Sequence, residues 1–140
     1  MTTNEHAELR FAGDDFFVAT TPSGHAQVLD FKADRSAAAG PLELLLVALG
    51  GCTGADVISI LQKKRERVTA YRIEVHGQRR EEHPRSFRRI EVRHFIRGRG
   101  ISEKAVAQAV QLSEEKYCSV AATLRPTAEI VSTFEIQEES

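Results

Sequence analysis

Short runs of alternating apolar and polar residues occupy both flanks of this chain, and a long apolar block without alternation lies between them. Alternation with period two marks half-buried strands. Glu8–Ala12 and Phe16–Thr20 flank Gly13-Asp14-Asp15, and that glycine–aspartate run predicts a hairpin. Pro22-Ser23-Gly24 marks a second turn, and Gln27–Phe31 reads as a third strand. Asp34–Gly40 is a loop of small residues.

The apolar block predicts a helix from Pro41 to Arg67. Proline suits the first helical turn, where its missing N–H costs nothing. Leu42, Leu44, Leu45, Leu46, Val47 and Leu49 cover nearly every side, and Val57, Ile58, Ile60 and Leu61 continue the surface. Gly50 and Gly51 are expected to kink or interrupt it, at ~1 kcal/mol each relative to alanine. Unbroken, such a helix is about 40 Å long and spans a domain whose radius of gyration is ~14 Å. A helix apolar all round needs cover all round. One small sheet covers one face, so a second subunit is expected to cover another.

Val68–Gln78 and Ser86–Arg97 come next as strands. Tyr71, Ile73 and Val75 alternate with Arg72, Glu74 and His76; Ile90, Val92 and Ile96 alternate with Arg89, Glu91 and Arg93. Ser102 reads as an N-cap, with Glu103 in the first turn and Ala105, Val106, Ala109 and Val110 as the apolar stripe. Cys118–Leu124 is a short helix or turn stopped before Pro126. Ala128, Ile130, Ser132, Phe134 and Ile136 form a last strand. The order is βββ-α-ββ-α-β, an α+β fold expected to form one domain over residues 1–140.

Composition narrows the function. Nineteen basic against twenty acidic residues give no global pull towards nucleic acid or an anionic membrane. The longest stretch free of lysine and arginine, Ser36–Gln62, contains Glu43 and Asp56, and the twelve charge-free residues Leu44–Ala55 between them fall short of the ~20 apolar residues of a spanning helix, so no membrane association is expected. The opening MTTNEHAELR is polar and unlike a signal peptide, which points to the cytoplasm. Two cysteines, Cys52 and Cys118, make neither a disulfide framework nor a four-ligand zinc site. His76 and His94 fall on opposite faces by alternation, and with His83 they form no metal site. Residues 72–100 hold nine arginines and four glutamates. A nucleic-acid face is one reading of them; a solvated sheet face with cross-strand charge pairs is the simpler one.

Cys52 stands in Gly50-Gly51-Cys52-Thr53-Gly54, a frame suited to close backbone approach, and Cys118 stands in Lys116-Tyr117-Cys118-Ser119-Val120 at the end of a helix. The segment from Gly40-Pro41-Leu42-Glu43 to Gly51-Cys52, its continuation Asp56-Val57-Ile58-Ser59-Ile60-Leu61, and the block Glu115–Leu124 resemble the OsmC/Ohr family of thiol peroxidases, in a branch of unassigned substrate. The resemblance implies an intertwined homodimer with sites at its interface. It implies a peroxidatic Cys52 and a resolving Cys118, small hydroperoxides as substrates, an external dithiol as reductant, and no cofactor or metal.

An ordinary thiol with pKa ~8.5 is only about 3% ionised at pH 7, and lowering that pKa by ~2 units needs ~2.7 kcal/mol. A helix terminus supplies ~0.3–1 kcal/mol, so a nearby cation is expected. In the family an arginine–glutamate pair serves. Here Leu42 stands at the glutamate's position with Glu43 next to it, His25 is the nearest candidate in the early turn, and Arg35 is the nearest arginine. Asp56 reads equally as a buried structural group or a catalytic one. The alternative function is a catalytically weak OsmC-like protein that binds a small ligand or senses redox state.

Overall fold

Backbone φ angles of 88°, 47° and 61° at Gly13, Asp14 and Asp15 close the first hairpin. Positive φ at both central residues is what a two-residue turn needs to match strand twist, and aspartate tolerates it. The computed structural model describes residues 5–140, so the first four residues of the polar N-terminal segment lie outside the description. The chain groups into two units, one ending at Leu45 and the other running Leu46–Ser140.

The first unit is an antiparallel sheet in the order β1 (Glu8–Gly13), β2 (Phe16–Thr20), β3 (Ala26–Asp30). The third strand starts and ends one residue earlier than the alternation predicts. Asp30 closes it because its carboxylate is drawn into the adjoining loop. Arg35 grips both oxygens of Asp30, at 2.8 and 3.0 Å, and the N–H groups of Lys32 and Ala37 donate to the same carboxylate. These bonds, Arg35 first, hold the Asp30 carboxyl far below the usual carboxylate range. Phe11, Phe17 and Phe31 gather with ring centroids 5.1–6.3 Å apart.

Helix α1 runs Pro41–Lys63 without interruption, so the expected break at Gly50 and Gly51 does not occur. It also stops four residues short of Arg67. Arg65 adopts φ 58°, and the Glu66 N–H returns to the Leu61 carbonyl at 3.0 Å. This left-handed cap frees Arg67 to begin the next strand. The glycines have a packing reason. A Cβ on Gly50 would lie 3.1 Å from Val75, and one on Gly54 2.5 Å from Ile73. The helix thus approaches β4 along a glycine seam one turn long. Gly51 has open space beside it. By length and composition α1 could cross a membrane, despite its short charge-free stretch. Here its Leu49, Gly50, Thr53, Gly54, Val57 and Leu61 are buried within the protein.

The second sheet has the order β4 (Arg67–Arg79), β5 (Phe87–Arg99), β6 (Glu129–Glu138). β4 and β5 are antiparallel; β6 runs parallel to β5. A parallel neighbour needs a crossover, supplied by α2 (Glu103–Leu112), a π-helical turn (Ser113–Tyr117) and α3 (Ser119–Leu124). Ser102 caps α2 as its sequence predicts, accepting the Ala105 N–H at 3.1 Å. Cys118 is not inside the short helix but caps it. Val57 and Leu61 meet Ile96, Ala105, Val106, Ala109 and Val110 in the core. The α+β element order agrees with the sequence reading; the π-helical turn is the element that reading lacked. The arginine-rich strands carry ion pairs, Arg93 with Glu91 at 2.9 Å and Arg72 with Glu74, and Arg72 also stacks on Phe95.

His94 alternates with Val92 and Ile96 on the inner face and is fully buried. The Tyr71 hydroxyl is hydrogen-bonded to its Nδ1 at 2.6 Å, and Nε2 has no partner among the described residues. Burial pulls the imidazole pKa down to about 4. The unfolded chain therefore binds a proton at His94 that the native protein refuses, between its ordinary value of 6.5 and about 4. Stability rises with pH across that window and is lost as pH falls through it, approaching about 3 kcal/mol in total. Urea unfolding at stepwise pH should show this slope above pH 4.5, before the carboxylates protonate, and His94→Gln should flatten it.

Candidate functional site

Residues 52 and 56 are one helical turn apart, so Cys52 and Asp56 share a strip of α1. That strip is two residues on from the seam residues Gly50 and Gly54, or about 200° around the helix. It therefore faces away from β4. What it meets there is the π-helical turn. The Ser113 O–H donates to Asp56 Oδ2 at 2.9 Å, and Thr53 lies 2.8 Å from the same hydroxyl. Ser113 has one proton and spends it on the carboxylate, so Thr53 must be the donor in the second bond. The result is a relay from Thr53 through Ser113, both buried, to the half-buried Asp56.

The same serine positions the second cysteine. The Ser113 carbonyl accepts the Cys118 N–H at 2.8 Å. Cys118 Sγ in turn accepts the Ala121 N–H at 3.4 Å, at the start of α3. Cys118 is buried and Cys52 half-buried, and both are free thiols. Their sulfurs and one carboxylate oxygen of Asp56 all lie within 4.8 Å of one another. Burial pushes the Cys118 thiol above its ordinary value; the Ala121 N–H opposes this, while Cys52 and the Asp56 charge add to it. None of the ion pairs among the described residues includes Asp56.

The other expected site residues belong to the first unit, each with bonds of its own. His25 sits in the β2–β3 turn, where its carbonyl accepts the Thr21 N–H and its Nδ1 lies 3.1 Å from the Ser23 hydroxyl. Arg35 holds Asp30, reaches Asp14 at 2.9 Å and lies 4.0 Å over the Phe16 ring. Glu43 Oε1 accepts the Gly40 N–H at 2.9 Å, which is half of a capping box at the start of α1.

Sequence reading missed Ser113 and Thr53, although both leave a trace. Ser113 continues the stripe Val106–Ala109–Val110 by one turn, and Thr53 stands midway between Leu49 and Val57. A hydroxyl on a buried apolar stripe must find a partner.

Fold and site together define an α+β protein with two converging thiols, one on the central helix and one capping the crossover. The chain belongs to the OsmC family of OsmC-like proteins, whose model matches residues 33–133. It is 41% identical over 120 residues to Protein YhfA of Escherichia coli K12, covering 86% of this chain and 89% of that one. Among solved structures, a hypothetical protein from Aquifex aeolicus superposes with TM-score 0.89 at 36% identity, covering 99% of this chain and 100% of that one. An organic hydroperoxide resistance protein from Elizabethkingia anophelis shares the fold, with TM-score 0.73 at 10% identity, over 98% of this chain and 99% of that one.

Ser113→Ala removes the donor to Asp56 and strands the Thr53 hydroxyl. It should destabilise the protein by about 1–3 kcal/mol, the cost of a buried polar group left unpaired. Thr53→Val in the same background should recover part of that loss in denaturant titrations.

Proposed function

We propose that this protein is a two-cysteine peroxidase acting on small organic or inorganic hydroperoxides in the bacterial cytoplasm, as part of defence against oxidative stress. The observation that carries the reading is the convergence of Cys52 and Cys118 sulfurs within 4.8 Å, in a family that includes hydroperoxide-resistance proteins. In the first step the Cys52 thiolate attacks the distal peroxide oxygen. The O–O bond breaks, an alcohol or water leaves with one proton, and Cys52 becomes a sulfenic acid. Cys118 then displaces hydroxide from that sulfur, its own proton leaves with the hydroxide as water, and a disulfide forms. An external dithiol reduces the disulfide by exchange and is itself oxidised.

Cys52 is the half-buried, approachable sulfur and Cys118 the enclosed one, which suits attack at the first and resolution by the second. Asp56 favours a second reading. Its charge adds to the burial that disfavours the Cys118 thiolate, and a resolving thiol slow to ionise suits a redox sensor or ligand-binding protein better than a fast scavenger. The two readings share the disulfide and differ in turnover.

The reduced protein should consume cumene hydroperoxide with dithiothreitol present, as monitored by peroxide assay. Cys52→Ser should fall to background. Cys118→Ser should stop after one equivalent and leave a sulfenic acid that dimedone traps. Disulfide formation without repeated turnover would select the sensor reading; no disulfide after peroxide would reject both.

The proposal includes a homodimer. Leu45 and Val47 of α1 are 37% and 66% exposed. Beside them Leu46, Val47, Gly50, Gly51, Ile73 and Val75 line an open apolar depression of about 480 Å³. A helix so apolar is expected to be covered. Sedimentation should give twice the chain mass, and Val47→Glu, which would bury a charge in the contact, should shift the protein to monomer.

A further inference from the structure

Three groups that bear or can acquire negative charge converge on one point: two thiols and a carboxylate, mutually within 4.8 Å. No ion pair among the described residues neutralises Asp56. Ionised together, such groups would repel one another unless a cation were shared among them. We propose that in the dithiol state Cys52, Asp56 and Cys118 bind a thiophilic divalent cation of the zinc class, with three protein ligands and a fourth position open to water.

The donor set selects the metal. Two sulfurs exclude magnesium and calcium, which take oxygen ligands, and fit zinc, which takes thiolate and carboxylate together. Spacing agrees. Zinc–sulfur bonds of ~2.3 Å in a tetrahedron place two sulfurs ~3.8 Å apart, so two sulfurs within 4.8 Å need to close by at most about 1 Å. Two of the ligands sit one turn apart on a single helix, which fixes their separation before the metal arrives. The third is held by the backbone bond from Cys118 to Ser113.

The surroundings resemble those of ligands rather than of packing groups. The Ser113 hydroxyl bonds the Asp56 oxygen Oδ2 and is itself bonded by Thr53, which orients the carboxylate and leaves Oδ1 to point elsewhere. The Ala121 N–H does the same for Cys118 Sγ. Half-exposure of Cys52 and Asp56 gives the cation a route in and leaves room for a fourth ligand.

This inference goes beyond peroxide chemistry and requires only that both thiols be reduced. Metal and disulfide would compete for the same two sulfurs. Binding replaces each thiol proton by a metal–sulfur bond and releases those protons to solvent; no oxidant or reductant is involved.

The test is titration of the reduced, full-length protein with Co²⁺ under argon, without peroxide. One equivalent should produce thiolate-to-cobalt charge transfer and the visible bands of a tetrahedral ion, and Zn²⁺ should displace it. Asp56→Asn should weaken Co²⁺ binding by about 10–100-fold, the scale on which even outer-shell partners of a metal act. Cys52→Ser should lower the charge-transfer intensity by about half, in line with one sulfur of two. As a control independent of folding, the unsubstituted protein with its thiols alkylated should bind no cobalt. Absence of charge transfer, survival of the spectrum after alkylation, or unchanged affinity in Asp56→Asn would each overturn the proposal. A protein that binds cobalt and lacks peroxide turnover would leave the metal site standing while the peroxidase reading falls.

Discussion

The close contact of α1 with β4 through Gly50 and Gly54 is the constraint on which the rest of the second unit depends. A side chain at either position would push the helix off the strand or force Val75 or Ile73 aside. With the seam in place the rotation of the helix is fixed. Helical geometry then decides where every other residue points. Val57 and Leu61 go to the core with α2 and β5, and Cys52 and Asp56 go to the strip facing away from β4. A glycine pair that costs helix propensity is thus what gives the helix one orientation.

Ser113 is the second fixed point. Its side chain reaches Asp56 and Thr53 on α1, and its carbonyl holds the N–H of Cys118. One residue in a π-helical turn therefore sets the distance between two cysteines far apart in the chain. Such turns carry an extra residue per turn, which shifts the chain beyond them, and they often mark functional sites. Here the extra residue brings Cys118 to the N-cap of α3, where its sulfur meets the Ala121 N–H.

The electrostatics of the site arise from the groups that these two fixed points bring together. Burial and the neighbouring carboxylate both favour the protonated form of Cys118, and only one backbone N–H opposes them. The arrangement thus holds Cys118 comfortably as a neutral thiol and poorly as a bare thiolate. Chemistry there needs either the removal of charge, as in forming a disulfide, or the supply of a cation. The first unit shows the opposite solution: Arg35 and Asp30 complete each other, with two backbone N–H groups closing the remaining valences of the carboxylate.

Much of the fold was legible in the chain itself. Alternation located all six strands to within a residue or two, and Gly13-Asp14-Asp15, Pro41 and Ser102 announced their turn and helix starts, because these features act through local backbone preference. The two motifs around Cys52 and Cys118 identified the family. The end of α1 was not legible, because Arg65 takes a left-handed cap without the glycine that usually signals one. Gly50 and Gly51 looked alike in the sequence; only the position of β4 made one a packing residue and left the other beside open space. Asp56, equally structural or catalytic when read alone, acquired its place from Ser113. Glu43, Arg35 and His25 showed their bonding partners only once the loops around them had closed. Which side chains share a point in space depends on long-range contacts, and those are settled by the packing of helix against sheet rather than by any stretch of sequence.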